Sequence, residues 1–172
     1  MSRETDMDAT IQRLDAPEKL EQFAINVEPH SPRHAQAARR RAIELRAAAY
    51  GASTDAEREG LQAVYAYERA QSKLRGRKFT ASRTWPMIAR RGIIPTIEHV
   101  VTRPEETMGY RVLAELGLQE MAFEAVVLRH PGMFSAQALE ASKERLRRWN
   151  DEQAPQASAP TPESAKGPGP AS

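Results

Sequence analysis

Residues 54–76 read TDAEREGLQAVYAYERAQSKLRG and carry the start and stop signals of one long helix. Thr54 and Glu57 have the spacing of a capping box, in which each side chain bonds the backbone N–H of the other residue. We expect the helix to run from this box to about Leu74, ahead of Gly76. Gly60 interrupts the pattern, at a cost of about 1 kcal/mol relative to alanine.

Two more helices are predicted on the N-terminal side. Asp15–Glu18 has the form of another capping box, with a proline near the first turn, and the helix that follows should end before Pro29. Its apolar stripe would consist of Leu20, Phe23, Ala24 and Val27. Ser31–Pro32 opens the next helix, which should stop at Gly51. Small apolar residues recur on it as a narrow seam suited to close helix packing, namely Ala35, Ala38, Ala42, Leu45 and Ala49.

Further helix signals follow residue 76. After a basic loop, Thr80 or Ser82 should cap a helix that ends at Gly92, and a short helix should cover 94–101. Another helix should begin at Pro104, where Glu105 and Glu106 suit the positive end of the helix dipole. We expect it to end at Gly117, with Leu118 folding back in a Schellman cap.

Residues 121–128 form the most apolar stretch of the chain. Two adjacent valines, Val126 and Val127, would also suit a buried strand, but the sequence offers no second strand nearby. We therefore favour a buried helix here. Phe134 and Ser135 start the last helix, with Phe134 and Leu139 spaced for a hydrophobic staple.

These signals predict an all-α fold, a compact bundle of about seven short helices. We assign residues 1–14 to a flexible N-terminus and residues 15–149 to a single helical domain. Residues 150–172 contain five prolines and no aromatic or large aliphatic residue. Such a segment cannot bury enough apolar surface to offset the entropy of ordering it, so we predict a disordered Pro/Ala-rich tail.

Composition excludes several classes of protein. The chain has no cysteine, which excludes disulfides, thiolate zinc sites and cysteine nucleophiles. No apolar run reaches the roughly 18 residues needed to span a bilayer, so no membrane partner is predicted. The start of the chain is acidic and lacks an apolar core, and we expect no signal peptide there. A soluble, cytoplasmic protein is the resulting expectation.

Charge is the most informative functional feature. Residues 69–91 hold eight Lys or Arg and no Asp or Glu, although the net charge of the whole chain is only +2. The rest of the chain therefore carries a net charge of −6 (+2 less +8). Positive charge concentrated in this way attracts phosphate groups or an acidic protein surface.

The predicted binding residues follow from this charge. On a helical wheel, residues 83–91 have a basic face and an opposite apolar face, and the preceding loop adds cations beside the hydroxyls of Thr80 and Ser82. Arginine forks and short hydroxyls are groups that hold phosphate oxygens. A second basic surface is expected on the helix after Ser31. The predicted nucleic-acid-binding residues are Lys73, Arg75, Arg77, Lys78, Arg83, Arg90, Arg91, Arg33 and Arg40.

Residues 87–101 resemble, loosely, the helix–turn–helix of DNA-binding proteins. If Gly92 is the turn glycine, the buried position six residues later falls on Glu98, and Ile97 lies one residue too early. We therefore assign no base contacts to the second helix and expect phosphate contacts only. Phe79, in the basic loop, is a candidate to stack on single-stranded bases, whereas Trp85 should pack in the core.

No catalytic site, metal or cofactor is predicted. His30 and His34 are separated by a helix start, which argues against a shared metal ion. Glu120 and Glu124 lack the Glu-x-x-His partners of a di-metal bundle, and we expect them on the polar face of an apolar helix. The sequence has no phosphate loop, dinucleotide-binding, zinc-protease or nucleophile-elbow motif. An enzyme is therefore the least favoured class.

Two hypotheses remain. The first is a small helical accessory or regulatory protein that contacts the backbone of nucleic acid, DNA before RNA, through residues 69–91. The second is a protein-interaction subunit of a larger assembly, whose basic face docks on an acidic partner. In that case the alanine seam would be an oligomer or partner surface. A solvated arginine face with no ligand is the plain alternative to both.

Overall fold

The computed structural model describes residues 3–104 and 109–153, and every regular element in this part of the chain is helical. The all-α prediction is confirmed, with nine α-helices in the described residues where about seven were expected. They are α1 (Arg3–Arg13), α2 (Pro17–Val27), α3 (Pro32–Tyr50), α4 (Asp55–Arg75), α5 (Thr84–Arg91), α6 (Ile93–Val101), α7 (Gly109–Glu115), α8 (Phe123–Arg129) and α9 (Ala136–Gln153). Two short 3-10 turns flank α8, at Gln119–Met121 and Pro131–Met133.

Helix α4 is the central element and is bounded as its sequence predicts. Thr54 Oγ1 accepts from the backbone N–H of Glu57 at 3.2 Å, and the Glu57 carboxylate accepts from the N–H groups of Ser53 and Thr54 at 2.7 and 3.3 Å. The helix ends at Gly76, whose φ of 63° is the left-handed conformation that glycine adopts without strain. The capping box and the glycine stop are therefore confirmed.

Gly60 interrupts the helix pattern because another helix packs directly onto its backbone. A Cβ atom at this position would lie 2.6 Å from Cδ1 of Ile97 and 2.9 Å from Cγ1 of Ile93, both on α6. Real side chains do not approach this closely. Glycine thus allows α4 and α6 to pack tightly, and the fully buried Ile97 joins the core between α4, α6 and α8.

Most of the alanine seam of α3 is covered by other helices of the same chain. Ala35, Ala38 and Ala42 are fully buried and share a core cluster with Leu20 of α2 and Ile11 of α1. This cluster covers the first three positions of the seam, whereas Leu45 is half-buried and Ala49 is exposed. Residues 3–13, which we had placed in a flexible N-terminal segment, form α1, because Ile11 packs against α2 and α3.

Two local predictions in the first and last parts of the chain are wrong. Asp15–Glu18 forms no capping box, since the N-cap of α2 is Ala16, which has no side-chain hydrogen bond. Glu124 does not lie on a polar face of α8 but is buried, and its carboxylate lies 3.0 Å from Nη1 of Arg145 on α9. Arg145 also donates to the carbonyls of Val100 and Arg103, which ties α9 to the end of α6.

The remaining C-terminal predictions largely hold. Residues 123–128 are helical as expected, whereas Met121 ends a 3-10 turn and Ala122 is extended before α8. Leu118 N–H bonds the carbonyl of Leu113 at 2.9 Å and Gly117 N–H that of Ala114 at 3.0 Å, the two bonds of a Schellman cap. The predicted acidic first turn at 105–106 lies outside the described residues. Most of the predicted tail, residues 154–172, also lies outside the described residues. Its first four residues, 150–153, are the end of α9.

A substitution at Gly60 tests the close packing of α4 on α6. Gly60→Ala should lower stability, because overpacking costs about 1–3 kcal/mol and outweighs the roughly 1 kcal/mol that alanine gains over glycine in a helix. Ile97→Val removes the clashing Cδ1 atom, so the double variant should lose less stability than the two single losses combined. Urea unfolding of the four proteins measures this coupling, and strictly additive losses would contradict the contact.

A second substitution tests the buried ion pair. Glu124→Gln leaves the Arg145 guanidinium buried without its counter-charge, which should reduce the free energy of unfolding by about 3–5 kcal/mol. Glu140→Gln is the matched control, since its pair with Lys143 is exposed and should change stability by less than about 1 kcal/mol. Equal effects of the two substitutions in urea unfolding would show that the buried pair has no special role.

Candidate nucleic-acid interface

Residues 69–91, the basic segment, consist of the end of α4, the loop 76–83 and α5. Seven of its eight cations are exposed and form no ion pair within residues 3–104 and 109–153. These are Lys73, Arg75, Arg77, Lys78, Arg83, Arg90 and Arg91. The eighth, Arg69, is paired with Glu21 of α2. The structure therefore brings all seven predicted residues of this segment to the surface.

Cations elsewhere in the chain are mostly neutralised. Of the 25 Lys and Arg, eight lie in the basic segment and Lys166 lies outside the described residues. At least ten of the other sixteen form ion pairs. Positive charge without a neighbouring carboxylate is thus concentrated in the basic segment. This local excess is what attracts polyanions.

The loop of the basic segment is anchored on α4 by two side chains. The Glu68 carboxylate accepts from the backbone N–H of Ala81 at 2.7 Å and from Nε1 of Trp85 at 2.6 Å. One turn later, Ser72 Oγ accepts from the N–H of Phe79 at 2.9 Å and donates to the Glu68 carbonyl at 2.7 Å. These bonds fix the loop backbone, so the loop's cations are carried on an ordered support.

The anchor also explains how α5 begins. We had expected Thr80 or Ser82 to cap this helix, and this prediction is wrong. The N-cap is Arg83, which makes no side-chain cap hydrogen bond. Instead, the Ala81 carbonyl accepts from the N–H groups of Thr84 and Trp85 at 3.0 and 3.1 Å. Since Glu68 takes the N–H of Ala81, a residue distant in sequence stabilises the start of α5.

The aromatic residues near the loop differ in their availability. Phe79 is half-buried, with Tyr67 edge-on at 5.7 Å between ring centroids and the Arg75 guanidinium 4.7 Å from its ring centre. Trp85 packs against the core, as predicted, and its ring also contacts Tyr65 at 5.1 Å and Tyr50 at 5.5 Å. Tyr50 is 48% exposed. Sequence reasoning missed Tyr50, because nothing local to it shows that the end of α3 contacts Trp85.

The two predicted residues of α3 do not join the basic segment. The Arg40 guanidinium is bonded to Glu120 and to the Gly117 carbonyl, the latter at 3.1 Å. Arg33 is exposed in the first turn of α3, whereas Tyr50, which contacts α5, ends that helix. A rise of 1.5 Å per residue places them about 25 Å apart along the helix. We therefore leave both residues out of the interface.

The glycine turn between α5 and α6 is present, but α6 is held in the core. Gly92 has a φ of 84°, and the residues buried on α6 are Ile93, Thr96, Ile97 and Val101. The Glu98 carboxylate accepts from the N–H and hydroxyl of Ser135 at the start of α9. Arg90 and Arg91 of α5 are exposed beside this turn. This arrangement favours α5 over α6 as the helix that meets a ligand.

A charged groove of about 780 Å³ borders the basic segment, between α2, α3, α4 and the loop. On its α2–α3 side, a hydrogen bond from Arg39 lowers the pKa of Glu28, and the same bond raises the pKa of Arg39. Burial lowers the pKa of Arg69; Glu21 opposes this effect, and the nearby charges of Arg39 and Arg46 add to it. Cations are therefore crowded in this groove.

The described residues contain no group of three His, Asp or Glu side chains placed to hold a metal ion. His30 is exposed and His34 is buried, so the two do not share a site. Among the helices of residues 3–104 and 109–153, none combines the length and apolar character needed to cross a membrane.

Comparison of the chain with protein-family models, with curated proteins and with solved structures gave no match. Function must therefore be inferred from the residues and the geometry described above.

Substitutions at Glu68 test the anchor of the loop. Glu68→Ala removes the acceptor for two donors, so hydrogen exchange of the Ala81 amide should accelerate by at least about tenfold, in line with the cost of an unmade hydrogen bond. Glu68→Gln keeps an acceptor oxygen and should retain most of the protection. NMR-detected exchange measures both variants. Unchanged exchange in Glu68→Ala would show that Glu68 does not hold the loop.

Proposed function

We propose that this protein contacts the phosphate backbone of nucleic acid, DNA before RNA, through its basic segment. The single observation that carries the proposal is the set of seven exposed cations without a carboxylate partner in the described residues. Phosphate is the ligand that such a set fits, because each cation that meets a phosphate releases condensed counterions.

The mode of contact follows from the scaffold. Arg90 and Arg91 stand on a regular helix, and Arg77, Lys78 and Arg83 stand on a loop that Glu68 and Ser72 anchor. Ordered cations lose less conformational entropy on binding than mobile ones. Contacts to phosphate position a protein but do not read sequence, so we propose an accessory or regulatory role with little base specificity. A cytoplasmic location is part of this proposal and is consistent with the absence of cysteine.

The second candidate is a subunit whose basic face docks on an acidic protein. The same seven cations support it, but most of the alanine seam of α3 is already buried by α1 and α2, and only Ala49 at its end is exposed. We therefore place the docking face of this second candidate on the basic segment itself. Binding to an acidic polypeptide such as polyglutamate, in the absence of binding to DNA or RNA, would favour this candidate.

Charge removal at α5 tests the leading proposal. Arg83/Arg90/Arg91→Ala should weaken binding to duplex and single-stranded DNA and RNA alike, and should reduce the slope of log affinity against log salt by roughly one for each lost phosphate contact. The measurement is a binding titration at two salt concentrations, with fluorescence anisotropy as the readout.

The matched control is Arg58/Arg111/Arg147→Ala, which removes the same charge from three exposed arginines that are ion-paired on other helices. Affinity should change little in this variant. Absence of wild-type binding at low salt, or equal losses in the two triple variants, would refute the proposed role of the basic segment.

A further inference from the structure

Three aromatic rings form a cluster beside the basic segment, and the outermost ring is open to solvent. Tyr65 contacts Trp85, and Trp85 contacts Tyr50 with ring planes tilted by 30°. Trp85 is further held by its Nε1 bond to Glu68. Tyr50 is therefore presented on a fixed support, with 48% of its surface exposed.

The same groove that contains these rings carries an excess of positive charge. Five of its lining residues are cations and three are carboxylates. Glu28, beside the groove, pairs with Arg39, so the net charge is +1 when Glu28 is included. Two of the carboxylates are engaged: Glu21 pairs with Arg46 and Arg69, and Glu68 binds the loop. Lys73 and Lys78 are exposed and have no ion pair in the described residues. An anion in this groove would meet cations that are not already neutralised.

An exposed aromatic residue alone is ordinary on a protein surface. The combination of an exposed, supported ring with unpaired cations in one groove is characteristic of proteins that bind single strands, in which bases stack on aromatic side chains while phosphates follow a positive groove. A duplex keeps its base faces stacked inside and cannot offer them to Tyr50. A volume of about 780 Å³ is within the range, roughly 300–1,000 Å³, of known ligand sites.

We propose that this groove binds single-stranded nucleic acid, with one base stacked on Tyr50 and the adjoining phosphates in contact with Lys73 and Lys78. This inference rests on the proposed function and narrows its ligand from nucleic acid in general to unpaired strands.

The test compares three labelled ligands: a short single strand, its duplex, and an abasic strand of the same length. The abasic strand keeps the sugar–phosphate backbone but lacks the bases. Base stacking of this kind changes affinity by about five- to hundredfold. The full-length protein should therefore bind the normal strand tighter than the abasic strand and the duplex by a factor in that range. Tyr50→Ala should lower affinity for the normal strand by the same factor and leave the other two affinities unchanged.

Two further variants distinguish stacking from a change in folding. Tyr50→Phe keeps the ring and should bind like the wild type. Met133→Ala removes a side chain that is 43% exposed and lies in the turn after α8, outside both the basic segment and the groove, so it should have no effect. Far-UV circular dichroism of each variant confirms that the helices are intact.

The outcomes separate this inference from the proposed function. If the strand, the duplex and the abasic strand bind with equal affinity and Tyr50→Ala changes none of these affinities, the inference is wrong. The proposed function still stands in that case if Arg83/Arg90/Arg91→Ala weakens binding. Equal weakening of all three ligands by Tyr50→Ala would also overturn the inference. If no nucleic acid binds at low salt, both fail.

Discussion

The close approach of α4 and α6 at Gly60 is the constraint on which the rest of the structure depends. Because position 60 has no side chain, Ile93 and Ile97 of α6 lie directly against the backbone of α4. This contact fixes α6 in the core, and α5 is joined to α6 by a single glycine. The C-terminal half of α4 carries Glu68 and Ser72, which hold the loop. One helix thus positions both ends of the basic segment.

Helix boundaries were predictable where the signal is local. The capping box at Thr54 and the glycine stops at Gly51, Gly76 and Gly117 all depend on residues a few positions apart. The Asp15–Glu18 box is a local signal that failed, since Ala16 is the N-cap. Two other expectations failed because of distant partners. Glu68 takes the N–H of Ala81, thirteen residues away, and Glu124 finds its counter-ion on α9. Such partners are set by tertiary packing, which helix periodicity does not encode.

The sequence predicts where the candidate interface lies but not every residue that belongs to it. The basic segment was recognisable because residues 69–91 contain no Asp or Glu. Its cations therefore have no carboxylate nearby in the sequence with which to form an ion pair. On α3, by contrast, Arg39, Arg40 and Arg46 pair with carboxylates from outside the helix. The partner of Arg40 is Glu120, eighty residues away. The exposure of Tyr50 likewise depends on where α3 ends relative to Trp85. Neither fact is visible in a helical wheel.

The loop anchor has a consequence for charge density. Three contacts join α4 to the loop and to α5, between residues 72 and 79, 68 and 81, and 65 and 85. Along the chain each contact encloses the one before it, so the loop and the start of α5 run back antiparallel to α4. Five of the seven exposed cations without an ion pair in the described residues lie within this hairpin. Its length is that of residues 65–75, about 15 Å at 1.5 Å per residue. Duplex DNA carries one negative charge per roughly 1.7 Å of its axis. Because the chain reverses direction here, the number of exposed positive charges per ångström of hairpin is within about twofold of the number of negative charges per ångström of duplex DNA.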